Sequence, residues 1–234
     1  MTDRYWHFCA VAKDGTPVLR DDSLALGPGE TETYQGTPAL CRAGLHASKR
    51  AMDALSNIPR PWCRLVQLEG EVLHDKNKSV ATRRLILASF DATAALHEFA
   101  CCVAESALLL SETDDDRCWQ AIEAKRAWLR GEIRNKGLAA ASDAAYVAAW
   151  APAYTARATS YAARDAAHAA TYVAAYVAAR GTAYSARDAA MNAAWVTRAA
   201  AYAARDAAWD EIGDLLESML TEAADATRCD FGAT

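Results

Sequence analysis

The tract from Leu138 to Trp209 constrains the fold more than any other part of the sequence, because alanine dominates it and its aromatic residues recur at helical intervals. Successive aromatic residues are four, seven, eight or eleven positions apart. These intervals are close to whole turns at about 3.6 residues per turn, whereas a β-strand would show a period of two. Alanine is also the strongest intrinsic helix former. We therefore expect long helices that pack closely through alanine faces, with the Tyr and Trp rings along the buried seam.

Arginine and aspartate side chains flank this aromatic stripe. At about 100° per residue, Trp195 and the aromatic residues near it share a narrow sector of the last helix, with Arg187 and Arg205 on one flank and aspartates on the other. In one interpretation the rings fill gaps between helices and the charges form rim salt bridges. In the other, Arg187, Trp195 and Arg205 form a groove that stacks a nucleotide or base. The equal number of flanking acids favours the first interpretation.

The segment before Ser89 has a different composition, with short apolar runs and most of the prolines. Alternation and turn residues predict strands and extended segments in this region, at positions 5–12, 16–19, 30–34, 62–68 and 80–87. Glu69-Gly70 is expected to end the fourth of these. Ser48 is placed to cap a short helix that runs through Leu55 and stops before Pro59.

From Asp91 the apolar period becomes helical, and Leu96, Phe99, Val103 and Leu110 form one stripe. The predicted fold class is therefore α+β: a small β-rich N-terminal domain followed by an all-α, alanine-rich helical bundle or hairpin. The predicted division is an α+β head at 1–89, a helical hairpin at 90–137 and an alanine-rich long-helix region at 138–226. Close alanine faces also lead us to expect a homo-oligomer.

Charge and composition exclude several classes of function. The net charge of −5 and the pI near 5.6 argue against a general nucleic-acid binder or a protein of anionic membrane surfaces. No apolar run approaches the roughly 18 residues needed to span a bilayer, and the N-terminus lacks the pattern of a signal peptide. An odd total of seven cysteines is a poor disulfide framework. We expect a protein of the reducing cytoplasm.

The motif Gly44-Leu45-His46-Ala47-Ser48 is the best candidate for a functional site in the N-terminal segment. His46 is either a structural histidine bonded to the backbone of its turn or a residue that contacts a ligand, with Ser48 beside it. A zinc site would require His7, Cys9, Cys41, His46 and Cys63 to converge, and nothing in their spacing requires this. No catalytic residue, metal or cofactor is therefore predicted, and the candidate binding residues are His46, Ser48, Glu69, Arg187, Trp195 and Arg205.

The same motif, with Asp53-Ala54-Leu55, the run from Cys63 to Val72 and a loop at Lys76, resembles an uncharacterised domain family of bacteriophages and prophages. Members of that family carry a Gly-Leu/Phe-His-Ala-Ser/Cys signature, and alanine-rich helical tails often follow. The tail through Trp209 into Leu220 is similar to such tails. The resemblance implies a phage-encoded protein acting in the host-cell cytoplasm, but no activity.

Two shorter resemblances point to other functions. Residues 121–133 are similar to a segment of small helical proteins described as putative immunity proteins. The order of the histidine motif, a short helix and a strand ending at Glu69-Gly70 resembles the middle of ADP-ribosyltransferase domains, which implies a nucleotide ligand near His46 and Glu69 or Glu71.

Three hypotheses follow for the function. The first is a non-enzymatic, phage-associated protein that binds a host or phage protein, with a counter-defence role in which it blocks or sequesters a host immunity factor. The second is a nucleotide-dependent transferase that binds a small nucleotide. The third is a structural component of the virion.

Overall fold

The computed structural model describes residues 3–12, 14–19, 23–57, 61–110, 116–141, 143–144 and 202–231. They belong to two compact units: Met1–Ala95 with Leu215–Thr234, and Leu96–Asp214. The first unit therefore combines an N-terminal segment with the last part of the C-terminal helix.

The described strands of the first unit form one antiparallel sheet of six strands. Its order is β2-β1-β5-β6-β3, and β4 also pairs with β6. The strands are β1 (Tyr5–Val11), β2 (Pro17–Val18), β3 (Thr31–Thr33), β4 (Leu45–Ala47), β5 (Trp62–His74) and β6 (Ser79–Asp91). All five segments predicted to be extended thus contain a strand.

The sheet curls until its hydrogen bonds close a ring. β4 pairs with the start of β6, where His46 lies opposite Val80. Ser48, two residues after His46, exchanges two backbone hydrogen bonds with Trp6 of β1, at 2.7 and 2.9 Å. Because β1 also pairs with β5, and β5 with β6, the curl gives the sheet an inner and an outer face.

The long β5–β6 hairpin differs from the prediction in one respect, because Glu69-Gly70 does not end the strand. β5 continues to His74, and the register with β6 shifts between Glu69 and Val72. Gly70 has φ +76°, and a Cβ added there would lie 2.3 Å from Thr82 Oγ1. The residues that indicate a turn in the sequence therefore form a bulge within the sheet.

One short helix, α1 (Ala51–Asn57), lies between β4 and β5 in the sequence. Three longer helices follow β6: α2 (Thr93–Leu110), α3 (Asp116–Leu129) and a C-terminal helix (Tyr202–Phe231). Residues 135–141 are also helical. The predicted stripe of α2 is confirmed at Leu96, Phe99 and Val103, which are at most 2% exposed. The C-terminal helix buries Leu216, Leu220 and Ala224 at intervals of four residues, as one face of an amphipathic helix does.

In the second unit, Arg126 of α3 binds two carboxylates of α2. Its guanidinium donates to Glu98 at 2.7 Å and to Glu105 at 2.5 Å, and these hydrogen bonds raise its pKa. The neighbouring Lys125 is buried, with its ammonium 4.4 Å from the centre of the Trp128 ring. Burial lowers the pKa of Lys125 to about 8.

The α+β class is confirmed by the curled sheet and the helices that follow it. Most of the predicted alanine-rich bundle falls outside the described residues and stays a prediction. Among the helices that are described, none is long and apolar enough to cross a membrane.

Candidate functional site

The structure places His46 in β4, where both ring nitrogens bind the backbone of its own turn. Because the Gly44 carbonyl can only accept, Nδ1 of His46 donates to it at 3.1 Å. Nε2 then accepts from the Cys41 amide at 3.2 Å. This neutral tautomer fits the interpretation of His46 as a structural histidine.

The turn also explains the glycine of the motif. Gly44 has φ +108°, and a Cβ added there would lie 2.6 Å from Cγ2 of Val80. Only glycine combines this backbone conformation with such a close approach to β6. Gly44 therefore lets β4 pair with β6.

The other predicted residues of the first unit lie apart from the His46 ring. Ser48 does not cap α1, which begins three residues later; it is 2% exposed and pairs with Trp6 through its backbone. Glu69 lies beside Gln67 of its own strand and Arg83 of β6, at 3.2 and 3.4 Å.

The structure describes only one residue of the groove predicted from Arg187, Trp195 and Arg205, and it describes only that residue's backbone. Arg205 lies within the C-terminal helix, and Arg187 and Trp195 lie outside the described residues. The groove that would stack a nucleotide stays a prediction.

The inner face of the sheet carries a buried ion cluster, formed by Glu32, Arg64 and Arg84, that the sequence interpretation missed. Glu32 is 6% exposed, and the two arginines are 0% and 2% exposed. Oε1 of Glu32 accepts from Nη2 of Arg64 at 2.7 Å, and Oε2 accepts from Nε of Arg84 at 2.7 Å. The one buried carboxylate thus accepts hydrogen bonds from two buried guanidinium groups.

The backbone secures the arginines further. Nη1 of Arg84 donates to the His46 carbonyl at 2.7 Å, and Nη2 of Arg64 donates to the Leu26 carbonyl at 3.1 Å. The cluster therefore links β3, β5 and β6 to the histidine motif on β4. An apolar cluster of Tyr5, Ala47, Val66 and Ile86, with Leu26 and Leu68 packed against it, includes residues of β5 and β6, the strands that carry the two arginines.

Two more polar side chains share this inner face. His7 lies directly opposite Arg64 in the β1–β5 register, and Cys9 follows on the same side of β1. Burial and the nearby charges of Arg84 and Arg64 hold the pKa of His7 well below its ordinary value. Burial raises the pKa of the Cys9 thiol to about 11. Both side chains are therefore neutral at pH 7.

Glu32 keeps its charge in spite of burial. Burial by itself raises the pKa of this carboxyl, but the charges of Arg84 and Arg64 and their hydrogen bonds bring it below its ordinary value. With two guanidinium groups and one carboxylate, the cluster carries an excess charge of +1.

An open groove marks the outer face of the same unit. It has a volume of about 400 Å³ and lies where the start of β1 meets the C-terminal helix. Nε1 of Trp6 donates to Oε1 of Glu217 across its floor at 2.9 Å. The groove is lined by Arg4, Trp6, Lys49, Leu65, Glu217, Ser218, Thr221 and Glu222.

The charges of the groove are divided between its two walls. Arg4 and Lys49 come from the β1 and β4 side, and Glu217 and Glu222 come from the helix. Lys49 binds Asp3 at 2.8 Å, but both side chains are more than 60% exposed, and such a pair contributes little to stability. Both walls therefore offer charges to a ligand.

A weak signal for the inner cluster exists in the sequence. Arg64 stands within the otherwise apolar run Trp62–Val66, and Arg84 directly precedes the apolar run Leu85–Ala88 of β6. A charged residue in an apolar strand indicates a buried ion pair, but the partner Glu32 cannot be identified locally. The groove has no such signal, because Trp6 and Glu217 are 211 positions apart.

The proposed zinc ligands do not assemble. His7 and Cys9 lie on the inner face, whereas Cys63 pairs with Phe8 on the opposite face. Within the described ranges, no three His, Cys, Asp or Glu side chains are grouped as metal ligands would be.

Comparisons of this chain with protein-family models, with curated proteins and with solved structures give no match.

Proposed function

We propose that this chain is a non-enzymatic binding protein whose groove between β1 and the C-terminal helix receives an extended segment of a partner protein. The observation that supports this most directly is the division of charge, with Arg4 and Lys49 on one wall and Glu217 and Glu222 on the other. The acidic wall would repel a nucleic-acid backbone. A polypeptide segment carrying both an acidic and a basic side chain complements both walls.

The floor of the groove suits the same occupant. Trp6 is 4% exposed, and its indole is held in place by Glu217. Leu65, from the neighbouring strand, is also 4% exposed. A rigid apolar floor with charged walls lets a short segment bury one apolar side chain while its charged neighbours stay at the rim.

The geometry of His46 favours binding over the transferase hypothesis. Its two ring nitrogens bind Gly44 and Cys41 in its own turn, and its carbonyl accepts from Arg84. These contacts support a role in holding β4 in place. A thermal-shift screen with nucleotides, repeated on His46→Ala, tests the alternative; a shift for the wild type that the variant loses would favour a nucleotide-dependent enzyme.

The groove is tested with a displayed library of random peptides panned against the full chain. We expect enriched peptides to carry both an acidic and a basic residue around an apolar one. Fluorescence anisotropy of a selected peptide should show affinity at least about tenfold weaker for Arg4→Glu and for Glu222→Lys, and a peptide with its acidic residue reversed should recover binding to Arg4→Glu.

The matched control is Lys76→Glu, because Lys76 is exposed in the β5–β6 turn and does not line the groove. It should leave the affinity unchanged. Enrichment of peptides without this charge pattern, or equal losses for all three variants, would contradict the proposal.

The resemblance to a phage domain family extends the proposal to a biological setting. In the host-cell cytoplasm, the partner would be a host immunity factor that the protein blocks or sequesters. This role is tested by the plating efficiency of a susceptible phage on a defended host that expresses the wild type or Arg4→Glu. We expect only the wild type to raise the plating efficiency. Mass spectrometry of purified virions tests the structural alternative, which predicts that the chain is a stoichiometric component of the particle.

A further inference from the structure

The buried guanidinium of Arg64 has more hydrogen-bond donors than the surrounding residues satisfy. Its Nη2 group donates to Glu32 and to the Leu26 carbonyl, but its Nε and Nη1 groups have no partner. The side chain is 0% exposed. Nδ1 of His7, directly across the β1–β5 register, is also buried without a partner.

Both carboxylate oxygens of Glu32 accept hydrogen bonds from the two arginines, but neither accepts one from Nε or Nη1 of Arg64. Arg84 directs Nε and Nη2 to Oε2 of Glu32 and Nη1 to the His46 carbonyl. Oε1 of Glu32 already accepts from Arg64. The cluster therefore has a satisfied half around Arg84 and an unsatisfied half around Arg64 and His7.

The net charge of the cluster also indicates an anion site beside Arg64. The two guanidinium groups and one carboxylate leave one positive charge uncompensated in the interior, and an unpaired buried charge is strongly unfavourable. The nearest thiol does not compensate it, because Cys9 stays protonated at pH 7. Among the described residues, Glu32 is the one carboxylate that contacts Arg64.

We propose that the inner face of the curled sheet binds a small monoanion of halide size, held by Nε or Nη1 of Arg64 and by the ring of His7. One monoanion would bring the charge of the cluster to zero. It would also accept hydrogen bonds from donors that have no other acceptor. The site is separate from the outer groove and does not depend on the function proposed for it.

The first test is the thermal unfolding of the full chain in sodium chloride and in sodium gluconate at equal ionic strength. An anion that binds only the folded state raises Tm, and we expect Tm to be about 2–4 °C higher in chloride. Arg64→Met should abolish the difference. Arg83→Met, which removes an exposed arginine from the neighbouring strand, should retain it.

A second measurement covers the case in which Arg64→Met fails to fold. Crystals of the wild type grown with sodium bromide should show an anomalous peak within hydrogen-bond distance of Arg64 and His7. Ordered water at that position instead of bromide would overturn the proposal. So would a chloride effect of equal size in Arg64→Met, or a bromide peak with no chloride effect in solution, which would show an adventitious ion only.

Discussion

Replacement of Glu32 by glutamine should destabilise the first unit more than any other conservative change of a carboxylate described in it. Glu32 is 6% exposed and is the acceptor shared by Arg64 and Arg84. The amide keeps the shape but removes the charge, and its NH2 group faces a guanidinium donor. Breaking a buried ion pair by removing one partner costs about 3–5 kcal/mol.

The assay is urea unfolding followed by tryptophan fluorescence, since Trp6 and Trp62 both lie in this unit. Glu71→Gln is the matched control, because Glu71 is exposed on β5, and its effect should stay within about 0.5 kcal/mol. In an Arg84→Met background, the cost of Glu32→Gln should fall by at least about 1 kcal/mol, because the two residues are directly coupled.

The pH dependence provides an independent check. The pKa of Glu32 is lower in the folded protein than its ordinary value, so the unfolded chain takes up the proton first as the pH falls. The stabilisation is complete above the unfolded pKa of about 4.3 and is lost as the pH falls through the folded pKa. Glu32→Gln should lack this loss. A cost below about 1 kcal/mol at pH 7, with no change in the acid limb, would refute the buried cluster.

Three further changes test other parts of the structure. His7 is neutral in the folded state, with its pKa well below 6.5. As the pH is lowered from 6.5, the free energy of unfolding should therefore decrease by up to about 1.4 kcal/mol per pH unit. In urea titrations at several pH values, His7→Gln should remove this decrease. Lys125→Met should raise the stability of the second unit by about 2–3 kcal/mol at pH 7, because burial lowers the lysine pKa to about 8. This gain in stability should shrink as the pH rises from about 8 to about 10.5. A gain that does not change with pH would contradict this reasoning. Gly44→Ala should lower Tm more than Gly15→Ala, since both glycines have positive φ but only Gly44 lies against Val80; equal losses, measured by circular dichroism, would exclude the predicted steric clash.

Local pattern was sufficient for most of the elements, although it did not predict β4 (Leu45–Ala47). Alternation placed strands at all five predicted segments, and the helical period of α2 placed Leu96, Phe99 and Val103 in a buried face. These predictions succeed because a strand or a helix repeats over a few residues, within one stretch of chain. The glycine of the histidine motif likewise marked a turn that requires it.

Local pattern failed where a residue depends on distant partners. Glu69-Gly70 has the composition of a turn, but its pairing with β6 makes it a bulge. Arg64 and Arg84 would be assigned to a solvent face by polarity alone, and the closure of the sheet buries them with Glu32, which lies 32 and 52 positions away.

The sequence by itself determined the α+β class and the approximate positions of five of the six strands, because each depends on neighbouring residues. It left two roles for His46, structural or ligand-binding. Only the tertiary structure decided which charges are buried together and that the C-terminal helix joins Trp6 at the groove. Hydrogen bonds between strands curl the sheet, and that curl determines whether an arginine faces water or a carboxylate.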